Sequence, residues 1–397
     1  MDFTPTEEQE AARDLAARIF GDLATHGRLA AAGSGSDAEL WKALCAAGLP
    51  GAVEEIGLLG LVLLLEEQGR TTAQVPFAAS CAYGILAVSR HGSDEQRARL
   101  LPGLRDGTTV VTGAFPVSGS VRASGSATVT GSAAVTGSAT ADGSVEARGS
   151  VAVTGSVEAA GSAAVTGSAT ADGSVEAREG RLSGVVDWVP WLRDATHVLV
   201  PDAERGLWLV RTEDAARIET VELTAPWSAG RLVLDGAAGE RLGSGPGAYA
   251  DVLAAARVAF AGLQAGVCAG SLARAVEYTS VREQFGRPLS THQAVQLRAA
   301  DAHMDTEAIR VTAYEAAWRH DEGLDATGAA LTAAWWASEA GKRVVHAGQH
   351  LHGGMGADLD HPVHRHFLWG RQLDAYLGCG IELLAELGDL LAKGDLS

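Results

Sequence analysis

Residues 278–293 read YTSVREQFGRPLSTHQ and lie between two long Ala-rich stretches. A guanidinium at Arg282 followed by an aromatic ring at Phe285 suits a dinucleotide, because the planar fork matches pyrophosphate oxygens and the ring packs on an apolar cofactor face. On either side the apolar residues recur with helical period, over Asp251 to Ser280, His292 to Asp321 and Thr327 to His346. This predicts a C-terminal four-helix bundle over residues 245–397. Before it, residues 108–240 hold short β-branched runs such as His197-Val-Leu-Val, Leu207-Trp-Leu-Val and Arg231-Leu-Val-Leu, parted by Gly, Pro and Asp. Before those, residues 1–107 return to helical spacing, with a nearly continuous apolar stripe from Leu58 to Leu65. Cap signals follow at Thr4-Pro-Thr-Glu-Glu and Ser93-Asp-Glu-Gln. The fold class is α+β multidomain: a helical domain, a middle β-domain and a helical bundle.

Bulk properties narrow the function. A formal net charge of -18 repels phosphate backbones and acidic lipid surfaces, and no basic patch offsets it, so nucleic-acid binding is not expected. The 47% apolar content supports a packed interior, and no membrane span is expected. The opening Met1-Asp-Phe-Thr-Pro-Thr-Glu-Glu lacks the basic and apolar regions of an export signal. Cys45, Cys81, Cys268 and Cys379 show no paired spacing, which fits reduced thiols and a cytoplasmic location.

Within the strand zone, ten Gly-Ser pairs recur every six residues from Gly119 to Gly173, and residues 131–148 are repeated identically at 161–178. Small apolar residues alternate with polar ones between the pairs, as at Val151 and Val153. A Gly/Ser tether has no need of that alternation. The insertion at 118–178 is therefore expected to form a narrow parallel β-solenoid of hexapeptide repeats.

The chain outside that insertion resembles the acyl-CoA dehydrogenase family. The resemblance rests on residues 65–70, LEEQGR; on His91-Gly-Ser-Asp-Glu-Gln running to Leu100-Leu-Pro-Gly103; on residues 278–293; and on His352-Gly-Gly-Met-Gly356. It implies FAD as cofactor, an acyl-CoA thioester as substrate, an electron-transfer partner and a place in lipid metabolism. The implied FAD contacts are Arg282, Phe285, Gln293, His350, Gly353 and Gly354. In the family, the 278–293 segment reaches the flavin of a neighbouring subunit, which implies an oligomer. The glycines admit close backbone approach to the adenine end. Family members usually carry glutamine three residues before the first glycine, where this chain has His350 beside Gln349. The histidines at 346, 350, 352, 361, 364 and 366 fix no closed ligand set, so no metal is expected.

Desaturation of a thioester needs a carboxylate that takes the α-proton while hydride leaves the β-carbon. Counted from Gly353, the family's Tyr-Glu-Gly base falls on Tyr376-Leu377-Gly378, and leucine accepts no proton. Relatives that place the base on the first bundle helix offer no rescue, since Ala256, Leu263 and Gln264 stand there. Asp374 lies one helical turn before Leu377 as a misplaced substitute, and Glu382 reads as a solvated helix residue. The family's flavin-ring contacts correspond to Gly113-Ala-Phe-Pro116 and Trp188-Val-Pro-Trp191, in which proline lacks an N–H and no hydroxyl replaces the usual threonine. The chain is thus similar to actinobacterial FadE-type subunits that lack the glutamate and pair in α2β2 heterotetramers, some acting on CoA thioesters of sterol side chains. Two alternatives stand beside this: an active homo-oligomer using Asp374, and a non-catalytic assembly module.

Overall fold

A computed structural model describes residues 2–115 and 175–394 of the chain. The predicted solenoid lies outside the described residues, except for its last four positions. Those four belong to the middle sheet: Val175 is buried in it, and Glu176–Arg178 pairs antiparallel with the next strand, so the sheet resumes inside the final repeat.

The N-terminal domain comprises α1 (Glu7–Leu23), α2 (His26–Ala32), α3 (Ala38–Ala46), α4 (Leu49–Thr71), α5 (Phe77–Ala79), a π-helical segment Ser80–Leu86, α6 (Ala87–His91) and α7 (Asp94–Asp106). Reciprocal capping boxes start α1 and α7. Gln9 N–H donates to Thr6 Oγ1 while Thr6 N–H donates to Gln9 Oε1, and Ser93 and Gln96 repeat the exchange. The cap hydroxyl supplied by Thr4-Pro-Thr-Glu-Glu is that of Thr6. Helix α4 is broken at Gly57, whose φ of 70° is outside the range most side chains tolerate. The amides freed beyond the break, Leu58 N–H and Leu59 N–H, donate to the carboxylate of Asp321 at 2.8 and 2.9 Å.

The middle domain is one mixed sheet of β1 (Val111–Gly113), β2 (Glu176–Arg178), β3 (Arg181–Val189), β4 (His197–Pro201), β5 (Leu207–Arg211), β6 (Arg217–Thr220) and β7 (Gly230–Leu242). The strand order is β1-β4-β5-β7-β3-β2 with β6 also on β7, and β1 is parallel to β4. Register shifts in β3 between Val186 and Val189 end its regular pairing just where Trp188 and Trp191 occur.

The bundle holds α8 (Pro246–Val281), α9 (Gln293–Asp321), α10 (Thr327–His352), α11 (Val363–Ala375) and α12 (Gly380–Lys393). It has five helices rather than the expected four, because α12 buries Leu383 with Leu331 and Ala334 and packs Leu387 and Leu390 around them. Helix α10 runs six residues past the expected His346 and stops where Gly353 turns to φ 62°. The stretch 247–281 of α8 reaches a mean hydropathy of 1.6 and is long enough to cross a bilayer, contrary to the reading of the sequence. That window is 78% buried inside the protein, so α8 is the core helix.

Helices α4 and α8 meet backbone to backbone. A methyl group at Gly266 would overlap the carbonyl of Glu66, and one at Gly69 would overlap the carbonyl of Leu263. Gly266→Ala is therefore expected to destabilise the chain by about 1–3 kcal/mol or more through overpacking. Gly247→Ala, where an added methyl meets nothing within 4 Å, leaves the melting temperature near the parent value; thermal denaturation of both variants checks the contrast.

Candidate functional site

Helix α8 carries the functional positions of the sequence at two separate levels. Near its first third, Arg257 donates from Nε to the carbonyl of Leu377 at 3.3 Å and from its two terminal nitrogens to Glu386 at 3.0 and 2.6 Å. This bidentate ion pair, with Arg257 nearly buried, pins the loop between α11 and α12. Leu377 itself is 3% exposed and sits at φ 63°, a left-handed conformation that costs a non-glycine residue about 1–2 kcal/mol. Its side chain belongs to the apolar core.

Around this loop the space is filled by rings from all three domains. Tyr83 of the π-helical segment stacks on Phe115 at 5.1 Å, and Phe115 stacks on Tyr249 at 5.7 Å. The Tyr83 ring lies so close over Gly113 that no Cβ would fit there. Its hydroxyl shares a 2.7 Å hydrogen bond with the Tyr376 hydroxyl, and burial raises the pKa of both phenols, so both stay protonated. Tyr376 meets Phe260 edge-on at 4.6 Å and Trp188 at 5.6 Å, while Trp191 stacks on Trp227 at 4.4 Å. Trp191 holds φ 53°, and the carbonyl of Pro190 accepts from Thr112 Oγ1 at 2.5 Å, which fixes the 188–191 segment in place. The indole N–H groups of Trp191, Trp227 and Trp369 find no acceptor among the described residues, so ring packing rather than hydrogen bonding holds this cluster.

Among the described residues, the carboxylates near this loop are engaged. Asp374 accepts from Ser338 Oγ at 2.7 Å and pairs with Arg371 at 3.1 Å, which commits it to α10 and to its own helix. Glu386 is held by Arg257, and Glu382 caps Cys379 N–H at the start of α12 rather than standing free in solvent.

The second level lies past the C-terminus of α8. The 25 residues from Arg257 to Arg282 correspond to about 37 Å of helix. There β8 (Glu283–Gln284) and β9 (Arg287–Pro288) form a hairpin whose two turn residues, Phe285 at φ 55° and Gly286 at φ 78°, are both left-handed. This is the pattern of a type I′ turn, which tightens the hairpin and projects the side chain at its first central position. Phe285 is 89% exposed, and Arg282 and Gln293 are also exposed. Tyr278 stacks on His352 at 4.9 Å, bringing the glycine turn Gly353–Ala357 to the same end of the bundle. An added methyl at Gly354 would touch nothing in this chain within 4 Å. Gln349 donates to the carbonyl of Gly356 at 3.3 Å, whereas His350 is exposed. Among the neighbouring histidines, His366 is buried with its pKa pushed down to about 4, and its Nε2 contacts the Arg70 carbonyl at 3.0 Å.

The structure therefore brings Arg282, Phe285, Gln293, His350, Gly353 and Gly354 to one end, far from Leu377 and Asp374. Sequence reasoning missed Arg257, Tyr83 and Phe260. Arg257 stood inside a stretch inspected for carboxylates, and only its cationic character beside the vacant base position could have drawn notice.

Residues 6–108 match the model of the acyl-CoA dehydrogenase N-terminal domain, and residues 243–380 match that of the C-terminal domain. A solved variant of the Tcur3481–Tcur3483 steroid ACAD is 38% identical with a TM-score of 0.79, over 98% of this chain and 99% of that one. The chain belongs to the acyl-CoA dehydrogenase family. The ChsE4–ChsE5 complex of Mycobacterium tuberculosis is 28% identical, with a TM-score of 0.80 over 99% of both chains. Acyl-CoA dehydrogenase FadE27 of the same organism is 36% identical over 230 residues, 54% of this chain and 61% of that protein, and FadE28 is 27% identical over 98% of both. Members of this family are flavoprotein oxidoreductases, and FAD is the cofactor of this acyl-CoA dehydrogenase homologue.

The residues present fit that group unequally. The exposed arginine, ring and open glycine turn fit a dinucleotide approaching from outside the chain. The ring-filled interior beside Leu377 does not accommodate a flavin ring in its present packing. Leu377→Glu is accordingly expected to place a carboxylate in an apolar site at a cost on the order of 2–4 kcal/mol, lowering the melting temperature. The purified variant should show no thioester-dependent dye reduction. Turnover by it without a second kind of subunit would mean that the aromatic cluster opens to substrate.

Proposed function

We propose that this chain is the base-lacking subunit of a heteromeric acyl-CoA dehydrogenase, completing the FAD site of a glutamate-bearing sister that performs α,β-desaturation. The observation that carries this reading is the pairing of Leu377 in a ring-filled interior with an exposed Arg282–Phe285 hairpin about 37 Å away along α8. One flavin ring cannot touch both. In the sister's site, Arg282 would fork onto the pyrophosphate of FAD, Phe285 would cover an apolar cofactor face, and Gly353 and Gly354 would admit the adenine end. FAD held there would supply the hydride acceptor for the β-carbon, and the sister's carboxylate would take the α-proton. Two solved relatives that each pair two proteins, the Tcur3481–Tcur3483 steroid ACAD and the ChsE4–ChsE5 complex, support the heteromer. That the first is a steroid ACAD supports a CoA thioester of a sterol side chain as substrate. An electron-transfer partner then reoxidises the flavin.

The chain purified alone is expected to hold little FAD and to show no turnover, and co-expression with a glutamate-bearing sister to give a yellow, active complex. Within that complex, Arg282→Ala and Phe285→Ala each lower bound FAD and turnover, the arginine change by about 10- to 100-fold for a lost charge-assisted pair. Flavin absorbance per chain and dye reduction measure both effects. Yellow, active protein obtained from this chain alone would overturn the reading.

A further inference from the structure

A half-open cavity of about 440 Å³ is walled by the break in α4, the π-helical segment, the start of α8 and the end of α9. His320, the penultimate residue of α9, lines it and is 6% exposed. Its two ring nitrogens lack hydrogen-bond partners and instead face carboxylates at ion-pair distance, Nε2 toward Asp251 at 3.5 Å and Nδ1 toward Asp321 at 3.6 Å. Asp251 belongs to α8. Asp321 is the residue that caps Leu58 and Leu59 beyond the α4 break. The arrangement is a carboxylate, an imidazole and a carboxylate joining three helices around one cavity.

We propose that His320 is a proton-operated latch: as imidazolium it ties Asp251 of α8 to the Asp321 cap, and on losing its proton it loosens that cap and the α4 break. The other charged groups around it are accounted for. Arg90 and His91, on α6, contact Asp251 at 3.2 and 2.7 Å, so Asp251 keeps partners when His320 is neutral. Glu54, on α4, is held by Arg105, and Glu55 lies exposed on the cavity wall. Asp321 is the member whose charge is compensated by His320 and the two amides alone among the contacts described. Gly57 admits no replacement at this point: a methyl there would strike the Asp321 carboxylate, so the loop and the cap move together.

Burial disfavours the charged imidazole, but Asp251 and Asp321 outweigh it and hold its pKa above the ordinary value. A raised folded-state pKa gives stability that is present below the unfolded value near 6.5 and is lost as pH rises through the folded one. Hydrogen exchange of the full chain tests the latch, read at the Leu58 and Leu59 amides between about pH 6 and about pH 9 and divided by intrinsic rates. Their protection is expected to fall about tenfold relative to the Leu29 amide, which donates to Thr25 in α2 away from the cavity. His320→Gln abolishes this pH dependence, and His91→Gln retains it. A flat wild-type profile, an equal loss at Leu29, or an unchanged slope in His320→Gln would overturn the proposal; where His320→Gln does not fold, the wild-type and His91→Gln profiles decide it.

Discussion

The backbone contact between α4 and α8 sets the frame for everything else in the molecule. Glycines at 69 and 266 let the two helix backbones touch, and no side chain larger than hydrogen is compatible with that approach. Once α8 is clamped at that level, its 36 residues act as a rigid rod, because a helix gripped along its core face has little freedom to bend. One end fixes Arg257 and, through it, the carbonyl of Leu377; the other delivers Arg282 and the hairpin beyond it. The separation of the two functional levels is thus a length measured in helical rise, and no side-chain rearrangement can close it.

Much of this was legible in the sequence. Period-three-and-four spacing located the helices of both outer domains, because it follows from which face is buried, and short β-branched runs parted by Gly, Pro and Asp located β4, β5 and β7 between them. The capping box at Ser93 and the leucine at position 377 were likewise readable residue by residue. What escaped was non-local. The rings around Tyr376 come from positions 83, 115, 188, 191, 227, 249, 260 and 369, and no local pattern marks residues so far apart as neighbours. Asp374 read as a misplaced substitute from its distance along the chain, but its partners Ser338 and Arg371 were not readable, since one turn of helix sets the direction of a side chain but not its partners. Phe285 was recognised as an aromatic contact, while its left-handed backbone and near-complete exposure follow from the type I′ turn that the pair Phe285-Gly286 adopts.

The two departures from the family pattern are energetically linked. An apolar hole left in a protein core costs about 24 cal/mol per Å³, so an empty space of about 150 Å³ would cost roughly 4 kcal/mol, a large share of a domain's net stability. A chain that held no flavin ring against a base of its own would be destabilised by such a hole. Tyr83 lying on Gly113, Phe115 between Tyr83 and Tyr249, and Phe260 against Tyr376 fill the interior with flat, stiff rings. Leu377 belongs to the same solution, because a carboxylate at that depth would have to be desolvated without the substrate proton that gives it purpose. Loss of the base therefore favours filling of the pocket, and a filled pocket in turn leaves no use for a base. The hairpin feels neither pressure: it lies about 37 Å along α8 from Arg257, and Phe285 is exposed. That asymmetry is what a physical division of labour between two kinds of subunit would produce.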